Sequence, residues 1–562
     1  MLKKWKTVFA VVCIAGLLCG CAGTPSSTPS SKAGTSSAVS ASTPESEPAS
    51  SGITLASPSW KTDTSPITLE WFVGYDWASF TFDPANNEFD KWCLEETGVT
   101  ISYSFGNQEK LNVLINTDSL PDIVTYDVVS TERLSMENGG LLLPLDDLRE
   151  QYAPDFRVVP AMMDWYRNEN DGHWYSYASY FYDVEDTESR GGYLTSHNMN
   201  FARKDIMEQL GIKPEDMQTK EGMIAALKKV KDADITYNGV KVEPMHGAGG
   251  STTQFYAEQF GLDREDKDGN FLNMYRQPEY LEALLFQNQM YREGLISDEE
   301  FTADNVLRKQ KVTSGAYFAG TGQADLDGKA DLFYSDSEAM MMYVGHIKGD
   351  SGKEPIITPS TTGGWTGTEI SKNCKDPARA IQLFAFLSQP ENAISYYLGG
   401  VNCYDLVDGK AVIKPECAQE READAVAYNN RTRSGIQEYL LDFVDVQIAT
   451  SQDDMDAMQQ DETNGRIKYM DGHYYDDKIF SNVIPEGGSD LAAVSAQIED
   501  YWSQQSAQII MAPSAEEAEK LYNDAITQMD QMGMKELDEY RNERFQKNKE
   551  KMGVKFAWPR NQ

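Results

Sequence analysis

The sequence predicts an α/β fold in which helices cover a mostly parallel sheet. Three segments rich in β-branched and aromatic residues, 67–73, 99–103 and 123–126, are predicted as strands. Two segments with apolar residues at helical spacing, 87–97 and 108–116, lie between them. Two strand–helix–strand units in succession imply parallel strands, because each helix carries the chain back across the face of the sheet.

Each predicted helix has a recognisable start or end. In the first helix, Phe89 and Cys93 lie four residues apart and Gly98 follows as a C-terminal cap. Proline opens two later helices, and Ser514 with Glu517 forms a capping box before a third. We interpret the apolar stripes of these helices as core packing. The later helices are predicted at 278–293, 377–389 and 515–532.

Residues 1–20 are predicted to be a signal peptide. Three lysines precede the apolar run 8–18, which is too short to span a membrane. Leu18-Cys19-Gly20-Cys21 then resembles the lipobox of bacterial lipoproteins, which implies cleavage before Cys21 and lipid on that cysteine. An ordinary signal peptide that happens to contain a cysteine is the alternative. We therefore predict an exported protein anchored by lipid to the extracellular face of the cell membrane.

The segment 21–65 is predicted to be a disordered stalk. It consists mainly of Ser, Thr, Pro, Ala and Gly, and it cannot bury enough apolar surface to offset the entropy of ordering. The remaining chain of about 500 residues is long enough for two or three domain cores. No second linker divides it, which suits two lobes that the chain crosses more than once.

Composition and missing motifs exclude several functions. The chain carries 88 acidic and 50 basic residues, a net charge of −38, so nucleic acid is an unfavourable partner. No phosphate loop, Gly-x-Ser-x-Gly elbow or His-Glu-x-x-His motif is present, and no Cys-x-x-Cys pair exists. We predict no catalytic residue, no metal and no cofactor. Cys403 and Cys417 either pair or remain free thiols.

Aromatic residues in polar, glycine-containing stretches are the main functional signal. A sugar ring presents flat patches of C–H groups flanked by hydroxyls, so aromatic faces with polar neighbours suit a carbohydrate. Ordinary core packing is the alternative for any one of these residues. A pair of carboxylates that hydrolyses glycosides is a second functional hypothesis, because acidic residues are abundant. The aromatic residues include Trp77, Tyr126, Trp174, Tyr180, Tyr182, Tyr193, Trp365 and Tyr404.

Four segments occur in an order that resembles a known family. They are Leu120–Val124 with Gly139–Leu145, Met199–Ile212, Ile370–Pro377, and the C-terminal helices at 509–541. Together they resemble the large solute-binding lipoproteins of bacterial ABC importers, extracellular solute-binding family 1, of the LplA type. This family is related to the maltose-binding proteins.

The resemblance implies a two-lobed, type II periplasmic-binding-protein-like fold whose lobes are joined by hinge crossovers. The first lobe would comprise 66–200 plus 368–450, and the second 201–367 plus 451–553. Such a protein is expected to be a monomer without enzymatic activity. It captures a carbohydrate, in particular an oligosaccharide, in the cleft between the lobes and delivers it to the membrane subunits of an ABC permease.

The resemblance also suggests which residues face the cleft. Asp76, Trp77, Tyr126 and Asp127 would approach it from the first lobe, just after two strands. Asn200 and Arg203 would flank the crossover. In 321–323, where the maltose-binding relatives commonly carry a cleft aromatic, no aromatic residue stands. The complete predicted ligand-binding set is Asp76, Trp77, Tyr126, Asp127, Trp174, Tyr193, Asn200, Arg203, Trp365 and Tyr404.

Overall fold

The computed structural model describes residues 57–322, 326, 328–360, 362–450, 457–481 and 483–557. The predicted signal peptide, Cys21 and most of the predicted stalk lie outside these residues. The end of the predicted stalk is different from expectation: Trp60 packs against Phe386 with ring centroids 5.9 Å apart, in a short 3-10 helix at Ser59–Lys61. The large indole of Trp60 can bury apolar surface, whereas the earlier residues of the predicted stalk have almost no large apolar side chains. Among the described helices, none is both long and apolar enough to cross a membrane.

The strands of the described chain form two main sheets and two small hairpins. They are β1 (Ile67–Val73), β2 (Val99–Phe105), β3 (Ile123–Asp127), β4 (Tyr177–Ala178), β5 (Asn200–Arg203), β6 (Thr236–Tyr237), β7 (Val240–Lys241), β8 (Glu243–His246), β9 (Tyr317–Thr321), β10 (Met341–Tyr343), β11 (Thr366–Ile370), β12 (Tyr404–Val407) and β13 (Lys410–Ile413).

Helices cover both sheets and form most of the C-terminal part of the chain. They are α1 (Glu88–Thr97), α2 (Gln108–Asn116), α3 (Thr131–Asn138), α4 (Leu145–Tyr152), α5 (Pro160–Trp165), α6 (Val184–Ser189), α7 (Lys204–Leu210), α8 (Lys220–Ala233), α9 (Gly250–Gln259), α10 (Pro278–Arg292), α11 (Asn305–Thr313), α12 (Lys329–Ser335), α13 (Pro377–Leu387), α14 (Pro390–Leu398), α15 (Pro415–Ala423), α16 (Ala425–Thr432), α17 (Phe443–Ala449), α18 (Ala457–Tyr469), α19 (Asp490–Ile510), α20 (Ala515–Met532) and α21 (Met534–Met552).

The C-cap predicted at Gly98 is confirmed, and of the capping box predicted at Ser514 and Glu517 the bond to the Ser514 side chain is present. The Asn87 side chain accepts a hydrogen bond from the Asp90 N–H at the start of α1, and Gly98 ends that helix with a φ of 70°. The Ser514 side chain likewise accepts from the Glu517 N–H at the start of α20. These bonds satisfy N–H groups that the first turn of a helix leaves without a partner.

The first sheet has the strand order β2-β1-β3-β11-β4. Strand β1 pairs in parallel with β2 and β3, as the two strand–helix–strand units predict. Strand β11 comes from far along the chain and runs antiparallel to both β3 and β4. The core that packs against the first sheet includes Trp71 and Phe384, which are fully buried.

The second sheet has the strand order β10-β5-β9-β8. Strand β5 runs antiparallel to β9 and β10, whereas β8 and β9 are parallel. Its core joins this sheet to the C-terminal helices, since Phe318 of β9, Leu284 of α10 and Met529 of α20 belong to one buried cluster. Two separate sheets with separate cores give the two-lobed α/β fold that the sequence predicts.

Two crossings connect the sheets. The first crossing, residues 179–199, runs from the end of β4 to the start of β5, and the second, residues 344–365, runs from β10 to β11. The predicted lobe limits at 200/201 and 367/368 fall inside β5 and β11, so Asn200 belongs to the second sheet and Thr366 to the first.

The segment that follows α18 packs against both crossings. Ser360 N donates to Thr195 O at 2.7 Å between the crossings, and Lys478 N donates to Thr362 Oγ1 at 3.0 Å. Lys478 Nζ also lies 3.2 Å from Asp183 Oδ2 of the first crossing. Three connecting segments thus meet in one hydrogen-bonded bundle.

Cys403 and Cys417 form a disulfide bond, which decides between the two states that the sequence leaves open. The bond ties the start of β12 to α15. Cys93 and Cys374 are buried free thiols.

Candidate functional site

The first-lobe part of the candidate site lies at the carboxyl edge of the parallel strands. Gly74 N donates to Thr125 O at 2.8 Å, so the chain leaving β1 stays beside β3. Val128 N donates to Trp365 O at 3.0 Å, and Trp365 N donates to Ser179 O at 2.8 Å. The loops after β1, β3 and β4 and the entry into β11 are therefore neighbours along one edge.

The second sheet presents an equivalent edge. Strands β8 and β9 end there at His246 and Thr321, and Asn200 of β5 lies opposite Thr321. Both crossings join this edge to the carboxyl edge of the first sheet, so the two edges border the space between the lobes. Ligands of open α/β sheets bind outside the carboxyl ends of the strands.

Four aromatic side chains, Tyr75, Trp77, Tyr180 and Trp365, form what we call the aromatic platform. The rings of Trp77 and Trp365 are almost parallel, with an interplanar angle of 10° and centroids 6.1 Å apart. Tyr75 lies 5.2 Å from Trp77 and 5.4 Å from Trp365, and Tyr180 lies 6.0 Å from Trp365. Trp77 is 51% exposed, so a large apolar face is open to a ligand.

A glycine positions one member of the platform. Gly364 has a φ of +85°, and a Cβ at this position would lie 2.7 Å from the Cβ of Ala178. Any other residue would be strained and would push the second crossing away from β4. The close approach that Gly364 permits is what brings Trp365 against Tyr180.

Carboxylates surround the aromatic platform. Asp76 is exposed beside Trp77, and Asp127 is exposed at the end of β3. Burial by the surrounding protein nevertheless raises the pKa of Asp127, and the charge of Glu132 adds to this effect. A side chain that is accessible and yet partly desolvated is expected on the wall of a concave cleft.

Tyr75 and Tyr180 carry hydroxyl groups next to acidic side chains. Tyr180 Oη donates to Glu438 Oε1 at 3.2 Å, and burial raises the pKa of Glu438. The hydroxyl of Tyr75 is buried and has no hydrogen-bond partner among the described residues. Burial, followed by the charges of Asp127 and Glu438, raises the pKa of Tyr75 well above its usual value. Tyr75 is therefore a neutral donor in need of an acceptor.

The second lobe carries a cavity of about 400 Å³ at the end of β8. Its polar floor is built on Glu300, which accepts hydrogen bonds from Tyr317 Oη at 2.7 Å and Gly247 N at 2.8 Å. Burial alone would raise the pKa of Glu300, but these bonds and His246 lower it to about 2. The cavity is lined by His246, the start of α9, Tyr275, Tyr280, Arg308, Glu499, Trp502 and Ser506.

Tyr126 and Trp174 do not have the cleft positions expected from the sequence. Tyr126 is 2% exposed, and its hydroxyl donates to Glu369 Oε1 at 2.6 Å inside the first lobe. Trp174 is fully buried, stacks against Phe156 at 6.0 Å and donates from Nε1 to Ser176 O. The structure places both side chains in the first-lobe core rather than along the edge of the sheet.

Asn200 and Arg203 are also fully buried. The Asn200 amide donates to Gly345 O at 2.8 Å and bonds with Gln259, so it joins β5 to the second crossing. The Arg203 guanidinium pairs with Asp205 at 2.6 Å and donates to Gly315 O at 2.9 Å. Both side chains therefore form their hydrogen bonds inside the protein, and the structure does not bring them to the aromatic platform.

Two further predicted residues lie away from the aromatic platform. Tyr193 of the first crossing is half-buried, with the Arg466 guanidinium 4.2 Å from its ring centroid. Tyr404 is half-buried in β12 and packs against Ile394 and Leu398. Of the predicted set, the structure therefore brings together Asp76, Trp77, Asp127 and Trp365.

The ligand-binding set predicted from the sequence does not include Tyr75, Tyr180 or Glu438. Tyr75 directly follows a predicted strand and Tyr180 stands in an aromatic stretch, so the same reasoning could have included both. Glu438 had no such signal, because it reaches the site through the fold from 258 residues further along the chain than Tyr180.

One group of side chains resembles a metal site in composition. The ligand atoms of Asp146, Asp147 and His173 lie within 4.8 Å of one another on the first lobe. However, Arg167 pairs with Asp146 at 3.1 Å, and this cation neutralises a charge that a metal ion would need. We interpret the group as a surface ion-pair network.

Two α/β lobes, joined by crossings and facing each other across a cleft, define a solute-binding protein. The family model of the bacterial extracellular solute-binding proteins matches residues 82–394, which is more than half of the chain. The chain belongs to this family, as its four motifs predict. None of the curated protein sequences compared with the chain matches it.

Solved structures share this fold at low sequence identity. The substrate-binding protein FusA of the Streptococcus pneumoniae ABC transporter, in complex with kestose, is 18% identical, with a TM-score of 0.63 over 86% of this chain and 100% of FusA. The alginate-binding protein AlgQ2 is 18% identical, with a TM-score of 0.64 over 87% and 99% of the two chains. An HMO-binding protein associated with an ABC transporter of Bifidobacterium longum infantis is 14% identical, with a TM-score of 0.62 over 86% and 99%.

Proposed function

We propose that this protein captures a carbohydrate, in particular an oligosaccharide, between its lobes and delivers it to an ABC permease. The observation that carries the proposal is the aromatic platform, with its exposed Trp77, at the carboxyl edge of the first sheet. The Trp77 indole, which lies parallel to the half-buried Trp365, offers a face on which the C–H patch of a sugar ring can stack. Acidic side chains beside it can accept hydrogen bonds from sugar hydroxyls. Relatives of the same fold whose names mention kestose, alginate and HMO support this ligand class.

The protein acts as a binding protein rather than as an enzyme in this proposal. A glycoside hydrolase is the alternative, since Asp127 and Glu438 lie near the same platform. Incubation with a bound oligosaccharide distinguishes the two functions: the sugar is recovered intact from a binding protein, whereas a hydrolase shortens it. Chromatography of the sugar after prolonged incubation is the measurement.

The proposed location is the extracellular face of the cell membrane, with lipid on Cys21. A division into lobes near the predicted limits 200/201 and 367/368, at the starts of β5 and β11, is also part of the proposal, as is a monomeric state. Cys21→Ala should prevent acylation, and fatty-acid labelling of cells measures this. Labelling of the variant at the parental level would contradict Cys21 as the attachment site.

The aromatic platform provides the direct test of the binding site. Stacking on a sugar ring buries on the order of 40 to 80 Å² of apolar surface, worth about 1 to 2 kcal/mol. Trp77→Ala and Trp365→Ala should each weaken the binding of an oligosaccharide by about tenfold, as measured by calorimetry. Tyr404→Ala is the matched control, because it removes an aromatic ring outside the platform and should bind like the parent protein. Unchanged affinity in both folded tryptophan variants would refute the site.

A further inference from the structure

The first-lobe wall of the cleft carries exposed carboxylates beside the aromatic platform. Asp76 precedes Trp77 in the loop after β1, and Asp127 stands at the end of the neighbouring strand. Both side chains are exposed, so neither charge is hidden within the protein. Glu438 adds a third carboxylate through its hydrogen bond with Tyr180. A sugar that stacks on the aromatic platform therefore lies among acidic groups.

The charges that act on this wall are acidic as well. Burial is the main cause that raises the pKa values of Asp127 and Tyr75. The charges that add to it belong to Glu132 for Asp127, and to Asp127 and Glu438 for Tyr75. Among the causes of these pKa shifts, none is the charge of a cation.

Two cations near the cleft, Arg433 and Arg308, already have partners within the protein. Arg433 lowers the pKa of Glu438, but its guanidinium donates to Tyr397 O at 3.3 Å and lies over the Tyr396 ring. In the second-lobe cavity, Arg308 donates to Glu300 O at 3.1 Å. This cavity is also lined by the carboxylates of Glu300 and Glu499, so it supplies no net positive charge.

We propose that the first-lobe wall accepts sugar rings without negative charge and rejects uronic acids and sulfated sugars, an inference that rests on the proposed function. An anionic group placed beside Asp76 and Asp127 would meet like charges at short range in a partly desolvated cleft. Like-charge contacts of this kind disfavour the wrong partner. Neutral hydroxyls instead donate hydrogen bonds to the same carboxylates.

A glycan array followed by matched ligands tests this inference. The array contains neutral, carboxylated and sulfated oligosaccharides, and every bound glycan should be uncharged. Each bound glycan is then compared with its acid, obtained by oxidising the primary hydroxyl groups, and with the methyl ester of that acid. The ester has almost the size of the acid without its charge, so the comparison isolates the effect of charge.

The acid should bind about tenfold or more weakly than its ester, a difference of about 1.4 kcal/mol or more. Asp127→Asn should reduce the difference in affinity between the acid and its ester, because the amide keeps the shape of the side chain and removes its charge. Glu150→Gln is the matched control: it removes one charge from an exposed position of α4 and should leave the difference as large as in the parent protein.

Three outcomes would overturn the inference. Preferential binding of a carboxylated or sulfated glycan would show that the cleft attracts anions. Equal affinity for an acid and its ester would show that the protein does not distinguish ligands by their charge. Binding of no glycan at all would refute the proposed function itself, and this inference with it, whereas the first two outcomes leave carbohydrate binding intact.

Discussion

At the scale of single residues, Tyr75 is the clearest candidate for a polar contact with the ligand. Its hydroxyl is buried without a partner, and a buried donor that stays unsatisfied costs about 1 to 3 kcal/mol. Tyr75→Phe removes this unsatisfied group, so it should raise the thermal stability of the free protein but weaken sugar binding by about tenfold. Differential scanning fluorimetry and calorimetry measure the two effects. Parental affinity in Tyr75→Phe would mean that the hydroxyl bonds with water instead.

Glu369 gives a prediction about stability and pH. It is fully buried, and burial together with the charge of Glu137 raises its pKa to about 8. The folded state therefore holds a proton that the unfolded state releases above about pH 4.5. This proton stabilises the fold at low pH, and the contribution is lost as pH rises from the unfolded to the folded pKa. The loss is at most about 1.4 kcal/mol per pH unit.

Glu369→Gln should remove this loss, because the amide imitates the protonated acid and still accepts from Tyr126. The free energy of unfolding, measured with urea between pH 5 and pH 8, should fall less steeply in the variant than in the parent protein. Glu150→Gln serves as the exposed control and should follow the parental curve. Parallel curves for Glu369→Gln and the parent would contradict a protonated Glu369.

At the scale of elements, the bundle that joins the crossings depends on Lys478. Its ammonium group lies 3.2 Å from Asp183 and 3.3 Å from Asp476, and the lysine is 5% exposed. Lys478→Met should leave these carboxylates without their cation and destabilise the protein by about 1 to 3 kcal/mol. Urea denaturation measures the difference.

The control for this variant is Lys414→Met. Lys414, which follows β13, pairs with Asp405 of β12 at 3.6 Å at the protein surface. Such surface pairs contribute about 0 to 1 kcal/mol. A loss in Lys478→Met no larger than in Lys414→Met would show that the bundle does not depend on the buried cation.

The elements of the fold were largely predictable from local signals. Parallel β1, β2 and β3 followed from two strand–helix–strand units, and α1 and α20 followed from their caps. The antiparallel β11 could not be derived from residue patterns, because its partner β3 lies more than 230 residues earlier. The family resemblance, together with the absence of a second linker, anticipated that the chain returns to the first lobe.

The candidate site was predictable where it depends on strand ends and not where it depends on packing. Trp77 and Asp127 follow predicted strands, so the carboxyl-edge rule selects them. Arg203 is equally polar, yet its guanidinium donates a hydrogen bond to Gly315 O. The fold brings Gly315 next to Arg203 from 112 residues further along the chain. Trp174 stands in a polar stretch but is buried by Phe156 and the first-lobe core. Contacts between distant segments decide both cases.

At the scale of the whole molecule, contacts outside the crossings also connect the lobes. Helix α21 belongs to the second-lobe core through Leu537, but Arg544 pairs with Glu169 of the first lobe at 2.7 Å. Lys551 Nζ donates to Trp165 O at 2.7 Å near the same place. These contacts and the crossings form the connection about which the lobes can turn.

The lobes are expected to close around a bound sugar. The aromatic platform belongs to the first lobe and the 400 Å³ cavity to the second, so a ligand gains contacts with both only when they approach. Small-angle X-ray scattering should therefore show a smaller radius of gyration with a saturating oligosaccharide than without it. The double variant Trp77→Ala/Trp365→Ala, at the same sugar concentration, should keep the radius of the free protein. A constant radius in the parent protein, with binding confirmed by calorimetry, would show that one lobe holds the ligand without closure.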